Sequence, residues 1–425
     1  YKRQWTERLE TTWRLLFMDS PYAYDAGALT LEEVRQNRAQ ARQRNVDFNA
    51  QEAVTQWQAS LNACYRLDTG TLSAKMHWSP RDFMGWLPFE NYGAVDLNRN
   101  FYGTNLEYQS SVGSGKWLVG IDFQQQDDHR QRFQNLAGSR GAQGMNQIES
   151  FGALSGYGLI VLTWGKLNTE IGLRFDLQAL RLEDRFLDDG DQQAERQYGV
   201  WTPTVGVVWT LGQLGVLFVN LGTAYETPAL SELSANPYGA GFNPDVEPSH
   251  TLGVDLGYRC RSQRFQWEAV AFHSRTRNEL VRYELEALPG QNFYRNLGTS
   301  TRYGLELEGV LSLGEFHQFR GSMTQAAYRF DREGQSFRIP GVAERTAQLG
   351  WQFDNKRWQV GLQTFYQGAL YADDLHNAHV PDYTIVDLNL GYQLSLLGTH
   401  AKLGLTVQNL TNASYFDNIR INAFG

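Results

Sequence analysis

The chain has 425 residues and a formal net charge of −8, and its pI near 5.6 excludes nucleic acid as a partner, because phosphate binding needs clustered Lys and Arg. Its mean hydropathy is −0.47, and no apolar run reaches the roughly 18 residues that a spanning helix needs, which excludes an α-helical membrane protein. Aromatics at 13%, 41 Gly and only 20% charged residues suit many β-strands, each apolar on one face.

Tyr1 is not an initiator, so the start reads as a cut edge that carries no targeting information, and Lys2-Arg3-Gln4-Trp5 already reads as strand. The first long polar stretch, 19–50, holds Thr30-Leu31-Glu32-Glu33 ahead of the helix formers Val34 to Arg44. That is a capping box, and it predicts one short helix in a loop. Further long polar stretches are expected around 85–91, 131–147, 183–196, 227–248, 286–293, 332–342, 373–382 and 412–425. Between them stand short turns at Asp68-Thr69-Gly70, Val112-Gly113-Ser114-Gly115, Gly165-Lys166, Leu211-Gly212-Gln213, Arg261-Ser262-Gln263, Leu313-Gly314-Glu315, Asp354-Asn355-Lys356 and Leu397-Gly398-Thr399.

The segments joined by these connections alternate. Leu252, Val254, Leu256 and Tyr258 oppose Gly253, Asp255, Gly257 and Arg259, and Val386, Leu388 and Leu390 oppose Asp387, Asn389 and Gly391. Period two with one apolar and one wet face, and short turns at one end with long loops at the other, predicts an all-β fold: an antiparallel transmembrane β-barrel with about 17 strands present. Trp and Tyr near segment ends (Trp5, Trp117, Trp164, Trp201, Trp209, Trp267, Trp351, Trp358, Tyr392) fit interfacial girdles. A propeller would repeat every 40–50 residues or so, and no such repeat is visible; a soluble sandwich rarely needs so many strands. Charges opposite apolar neighbours (Arg174, Asp176, Asp255, Glu306, Glu308, Asp387, Lys402) are expected to face inward, because one facing lipid at mid-depth would cost about 2–4 kcal/mol. Cys64 and Cys260 lie far apart in strand-like segments and read as two buried thiols.

Three stretches then resemble one family. Tyr225-Glu226-Thr227-Pro228, Leu230-Ser231-Glu232-Leu233 and Asn243-Pro244-Asp245-Val246-Glu247-Pro248 form the first. Tyr294-Arg295-Asn296-Leu297-Gly298 leading into Arg302-Tyr303-Gly304-Leu305-Glu306 is the second, and Val407-Gln408-Asn409-Leu410-Thr411-Asn412-Ala413-Ser414-Tyr415 the third. In this order they resemble the TonB-dependent outer-membrane receptors. Glu226 departs from the pattern, standing where Arg is usual in that family. The resemblance implies that residues 1–425 are one barrel domain, roughly strands 5 to 21 of a 22-stranded barrel, without the plug domain and the final strand.

It also implies the activity: capture of a scarce ligand, foremost a ferric siderophore, by extracellular loops, and import with energy from the TonB complex across a bacterial outer membrane. The alternatives are another TonB-dependent substrate such as haem or cobalamin, or a passive porin. Haem receptors commonly carry a histidine between the two loop elements, and Ala229 to Phe242 contains none. No catalytic constellation, and hence no enzyme, is expected, nor any cofactor. The implied partners are the TonB complex, the chelate, and outer-membrane lipid and lipopolysaccharide around a monomer. Bulky oxygen-rich chelates are gripped by aromatic and Arg side chains. The candidates are Arg81, Trp86, Phe89, Tyr92, Tyr225, Tyr238, Tyr294, Arg295 and Tyr371. His376 and His379, beside Asp373 and Asp374, are the only weak metal candidates, while His129 reads as a loop-edge residue and His250 as a strand start.

Overall fold

The computed structural model describes residues 1–285, 288–296, 298–332, 334–396 and 399–421. Strands come first in hairpins with long arms: β1 (Lys2–Gln4), β2 (Leu9–Tyr24), β3 (Gln51–Leu67), β4 (Gly70–Trp86), β5 (Ala94–Val112) and β6 (Gly115–Leu136). They continue as β7 (Ser139–Trp164), β8 (Leu167–Asp184), β9 (Ala194–Thr210), β10 (Val216–Glu226), β11 (Ser249–Arg261) and β12 (Phe265–Arg277). The remainder are β13 (Leu280–Leu285), β14 (Leu288–Asn296), β15 (Thr299–Leu313), β16 (His317–Arg332), β17 (Gln335–Arg338), β18 (Arg345–Asp354), β19 (Trp358–Gln367), β20 (Leu370–Tyr371), β21 (His379–Val380), β22 (Tyr383–Leu396) and β23 (Thr399–Val407).

Nineteen of them form one antiparallel sheet, two more than the alternation suggested; the short β1 and β17 are among them. Each long strand pairs with the next in sequence, while the hairpins β13–β14 and β20–β21 stand apart from the sheet. The Arg38 guanidinium donates to the Tyr415 carbonyl at 2.8 Å, so the loop after β2 meets the segment after β23 and the meander curls back on itself. Among the described residues no ladder joins β23 to β1 or β2.

Alternation sorts the two faces. Val119, Ile121 and Phe123 on β6, Ile171, Leu173 and Leu177 on β8, Leu252, Val254 and Leu256 on β11, and Leu403 and Leu405 on β23 are all exposed on the outer face. An apolar surface that large is untenable in water and natural in hydrocarbon. Trp117, Trp164, Trp209, Trp267, Trp351 and Trp358 ring its short-turn edge, and Trp201 packs at a tilt against Phe175 near the other, ring centroids 4.6 Å apart. Trp201 and Trp209 share one face of β9; the strand rise and a tilt near 40° put them roughly 20 Å apart along the barrel axis, about the height of a transmembrane band.

Several expectations need correction. The stretch 131–147 is no loop. β6 and β7 run through it, with register irregularities around Phe133, to a two-residue turn at Ala137 and Gly138, with Gly138 at φ +92. His129 is therefore a strand residue, its Nε2 2.8 Å from Asn146 Oδ1. Residues 286 and 287, Leu297, the turn residues Leu397 and Gly398, and 422–425 lie outside the described set. Trp5 falls just beyond β1. Cys64 and Cys260 are free and half-buried, not buried; they lie on opposite faces of the sheet, Cys64 inward beside Ser73 and Cys260 on the apolar side.

Among the described residues three α-helices occur, where one was expected: α1 (Leu31–Asn37), α2 (Gln43–Asp47) and α3 (Leu230–Ser234). The capping box at α1 is formed on both sides, Glu33 N–H to Thr30 Oγ1 at 3.2 Å and Thr30 N–H to Glu33 Oε2 at 2.7 Å. Helix α1 ends six residues before Gln43 opens α2. Thr30→Ala is expected to loosen α1 by about 1 kcal/mol, read as faster amide exchange over 31–37. The backbone N–H and hydroxyl of Thr30 hold the Glu33 carboxyl below its ordinary pKa. Its contribution is therefore present above the unfolded pKa and fades as pH falls through the lower folded one.

Candidate ligand vestibule

The long connections all leave the sheet at the end opposite the short turns, and buried asparagines tie them together. Asn135 is 0% exposed at the tip of the β6–β7 hairpin. Its Nδ2 donates to the Phe48 carbonyl at 3.0 Å and the Leu87 carbonyl at 2.8 Å, and its Oδ1 accepts from Gly138 N–H at 2.8 Å. One side chain thus fastens the 25–50 loop and the 87–93 loop to the hairpin. A Cβ at Gly138 in the turn would strike Asn49, and one at Gly144 within β7 would strike the Tyr92 ring, so both positions suit glycine.

The second block is centred on residues 227–248. Leu233 and Val246 are fully buried against Leu180 and Tyr198, with Phe151, Leu230, Phe242, Leu280 and Tyr294 around them. Asn243, 1% exposed, donates to the Tyr294 carbonyl at 3.1 Å and accepts from Asp245 N–H at 3.0 Å. Asn296 accepts from Glu247 N–H at 2.6 Å and donates to the carbonyls of Glu247 and Asn278, both at 2.7 Å. The two family-like stretches therefore bind each other, so their asparagines are loop fasteners. Helix α3 carries no polar N-cap; Glu232 reaches back to Ala229 N–H at 2.8 Å, a signal too slight to read beforehand.

The predicted ligand residues divide among these blocks. Arg81 lies on the concave face of β4, its guanidinium 5.5 Å from the Phe83 ring centroid. Trp86 ends β4, and Phe89 and Tyr92 lie in the 87–93 loop, Tyr92 at φ 60. Tyr225 accepts from Gln178 Nε2 at 2.7 Å. Tyr238 is exposed and donates to Asp245 Oδ2, an acceptor that pushes its phenol pKa up. Tyr294 and Arg295 lie on strand β14, and the Arg295 guanidinium sits 4.8 Å from the Tyr283 ring centroid. Tyr371 stacks with His376 at 4.3 Å and meets His379 edge-on at 5.9 Å. The two imidazoles pack on that ring, and no group of three or more metal-ligating side chains occurs among the described residues.

Below the loops the concave wall is polar. The Arg99 guanidinium clasps Asp128 with two bonds, 2.8 and 2.6 Å, and Asp128 is 2% exposed. Arg174 pairs with Asp176 at 2.8 Å, and Ser155 donates to the same carboxylate. Toward the short turns an open cavity of about 1020 Å³ is lined by Arg259, Glu268, Glu308, Arg320 and Lys402 among many glutamines. None of this reads as a catalytic set. It is a wide polar channel wall beneath a braced mouth.

Such a wall, with an aromatic-edged apolar exterior, is that of a membrane-type β-barrel. The chain belongs to the TonB-dependent receptor-like β-barrel family, whose sequence profile matches residues 5–410. That family comprises receptors and transporters, not enzymes. A ferrioxamine B receptor of Salmonella typhimurium is 28% identical over 377 residues, covering 78% of this chain and 49% of that protein. The chain thus spans about half the length of the curated relatives it matches. Among solved structures, the unliganded ferric citrate transporter FecA superposes with a TM-score of 0.83 at 16% identity, over 99% of this chain and 65% of that one. The ferric-catecholate import receptor Fiu of E. coli K12 gives 0.69 at 14%, over 96% and 68%. At such identities the likeness of these structures is one of fold.

Proposed function

We propose that this chain is the barrel wall and mouth of a bacterial outer-membrane receptor that takes a ferric siderophore into its vestibule and imports it with TonB-supplied energy. The observation that carries the reading is the mouth itself: loops from both blocks are braced by buried asparagines over a polar lumen and present Arg and aromatic side chains. On this reading the receptor works as a monomer set in lipid and lipopolysaccharide, and its plug and TonB-contacting elements come from outside residues 1–425.

Growth under iron limitation tests it. A strain lacking the gene is expected to lose growth on at least one ferric chelate and to regain it with the intact gene only when TonB is functional. Normal use of every iron source by the deletion strain, with a vitamin or sugar phenotype in its place, would overturn the iron assignment.

A further inference from the structure

The vestibule wall formed by β3 to β7 carries four guanidinium groups, those of Arg81, Arg99, Arg130 and Arg132. In one row, Gln56, Arg81, Arg99, Asp128 and Glu149 stand opposite each other across successive strands. The next row is Val54, Phe83, Leu97, Arg130 and Gln147, and the third is Glu52, Gly85, Val95, Arg132 and Met145. The outward residues of these strands, Met76 and Trp78 on β4, Tyr102 and Leu106 on β5, Ile121 on β6 and Leu154 on β7, occupy the opposite parity. All three rows therefore face the lumen. Arg132 lies 17 residues beyond Gly115, roughly 45 Å up the axis and well past the bilayer.

Two carboxylates in this patch are already engaged. Asp128 is held by Arg99 and by Gln126 at 3.2 Å. Glu149 takes a 2.6 Å bond from Gln147 and sits 2.9 Å from Arg130 Nε, a charge contact without hydrogen-bond alignment. Asp184, next along the wall, accepts from the N–H groups of Phe186 and Gln192, and Glu52 is exposed at the rim. Arg81 and Arg132 have no carboxylate partner among the described residues, and the Nε of each is shielded from water with nothing to donate to. Burial, and then the neighbouring Arg130, hold the Arg132 pKa below the ordinary arginine value. A guanidinium Nε kept dry with no acceptor is costly. Phe83 backs Arg81, and the guanidinium forks suit planar, paired oxygens.

We infer that this patch is an anion subsite, with Arg81 and Arg132 as its contacts and Arg130 beside them, and that the receptor's ligand is a ferric chelate of net negative charge, of the catecholate or carboxylate class. This rests on the receptor reading above and specifies its substrate class.

The test uses the full-length receptor in detergent and two iron complexes of similar size: a trianionic ferric tricatecholate and a neutral ferric trishydroxamate. Tighter binding of the tricatecholate is expected, weakening as salt is raised. Arg81→Gln and Arg132→Gln should each weaken it about tenfold or more, while Arg81→Lys, which keeps the charge, loses less. Thermal melting of each variant separates lost binding from lost folding. Preference for the neutral complex, or unchanged tricatecholate affinity in both folded Gln variants, would overturn the inference and leave the receptor reading standing. Binding of neither complex, together with normal growth of the deletion strain on all iron sources, would remove both.

Discussion

Replacing Asn135 by Leu is expected to free two loops and a hairpin tip at once while leaving the sheet below them intact. The side chain is fully buried and makes three hydrogen bonds, to Phe48 O, Leu87 O and Gly138 N–H. Leucine is close in volume but can replace none of them, and each shielded backbone group left without a partner costs about 1–3 kcal/mol. The loss is thus several kcal/mol, concentrated on segments whose other anchors are few: Arg38 to the Tyr415 carbonyl at 2.8 Å, Arg44 to the Pro88 carbonyl at 2.6 Å and Asn135 N–H to Glu90 O at 2.8 Å. Asn135→Asp should lose at least as much, since it keeps the acceptor for Gly138 but turns a buried carboxylate oxygen toward two carbonyls. Hydrogen exchange over 25–50 and 87–93 checks this, together with limited proteolysis of intact cells. Unchanged protection of those segments in the Leu variant would show that the loops are held by something other than this pin.

The sheet was readable because a bilayer-facing strand must declare itself: Leu252, Val254 and Leu256 alternate with Gly253, Asp255 and Gly257 whatever their neighbours are. Where both faces of a strand are wet, that signal vanishes. Apart from the turn at Ala137 and Gly138, residues 131–147 are strand, but Arg132, Gln134 and Asn146 leave no continuous apolar face to reveal it, so the hairpin looked like a loop. The vestibule was legible only in part. Arg81, Tyr225 and Tyr371 could be nominated as residue types near strand ends, whereas Arg132 acquires meaning only from β5 and β7 beside it. The asparagines were visible as letters of a family pattern. Their task depends on partners 51 and 49 positions away, which no local reading supplies.

The assignment of faces makes the sharpest demand on the transmembrane reading. Leu256 lies mid-strand on β11, exposed, between Val219 of β10 and Ala271 of β12 on the outer face. Leu256→Arg places a charge in the hydrocarbon near mid-depth and is expected to destabilise the folded protein in lipid vesicles by about 2–4 kcal/mol. Thr324 on β16 lies close to the same depth but faces the lumen opposite Glu306. Thr324→Arg therefore enters water beside a carboxylate and should change stability little. Urea titration of both variants refolded into vesicles gives the comparison, and repeating it in detergent micelles, which reshape around a charge, should narrow the gap. Equal losses in vesicles would mean that the apolar face is not the one lipid touches, and the arrangement of every charged row inside the barrel would have to be redrawn.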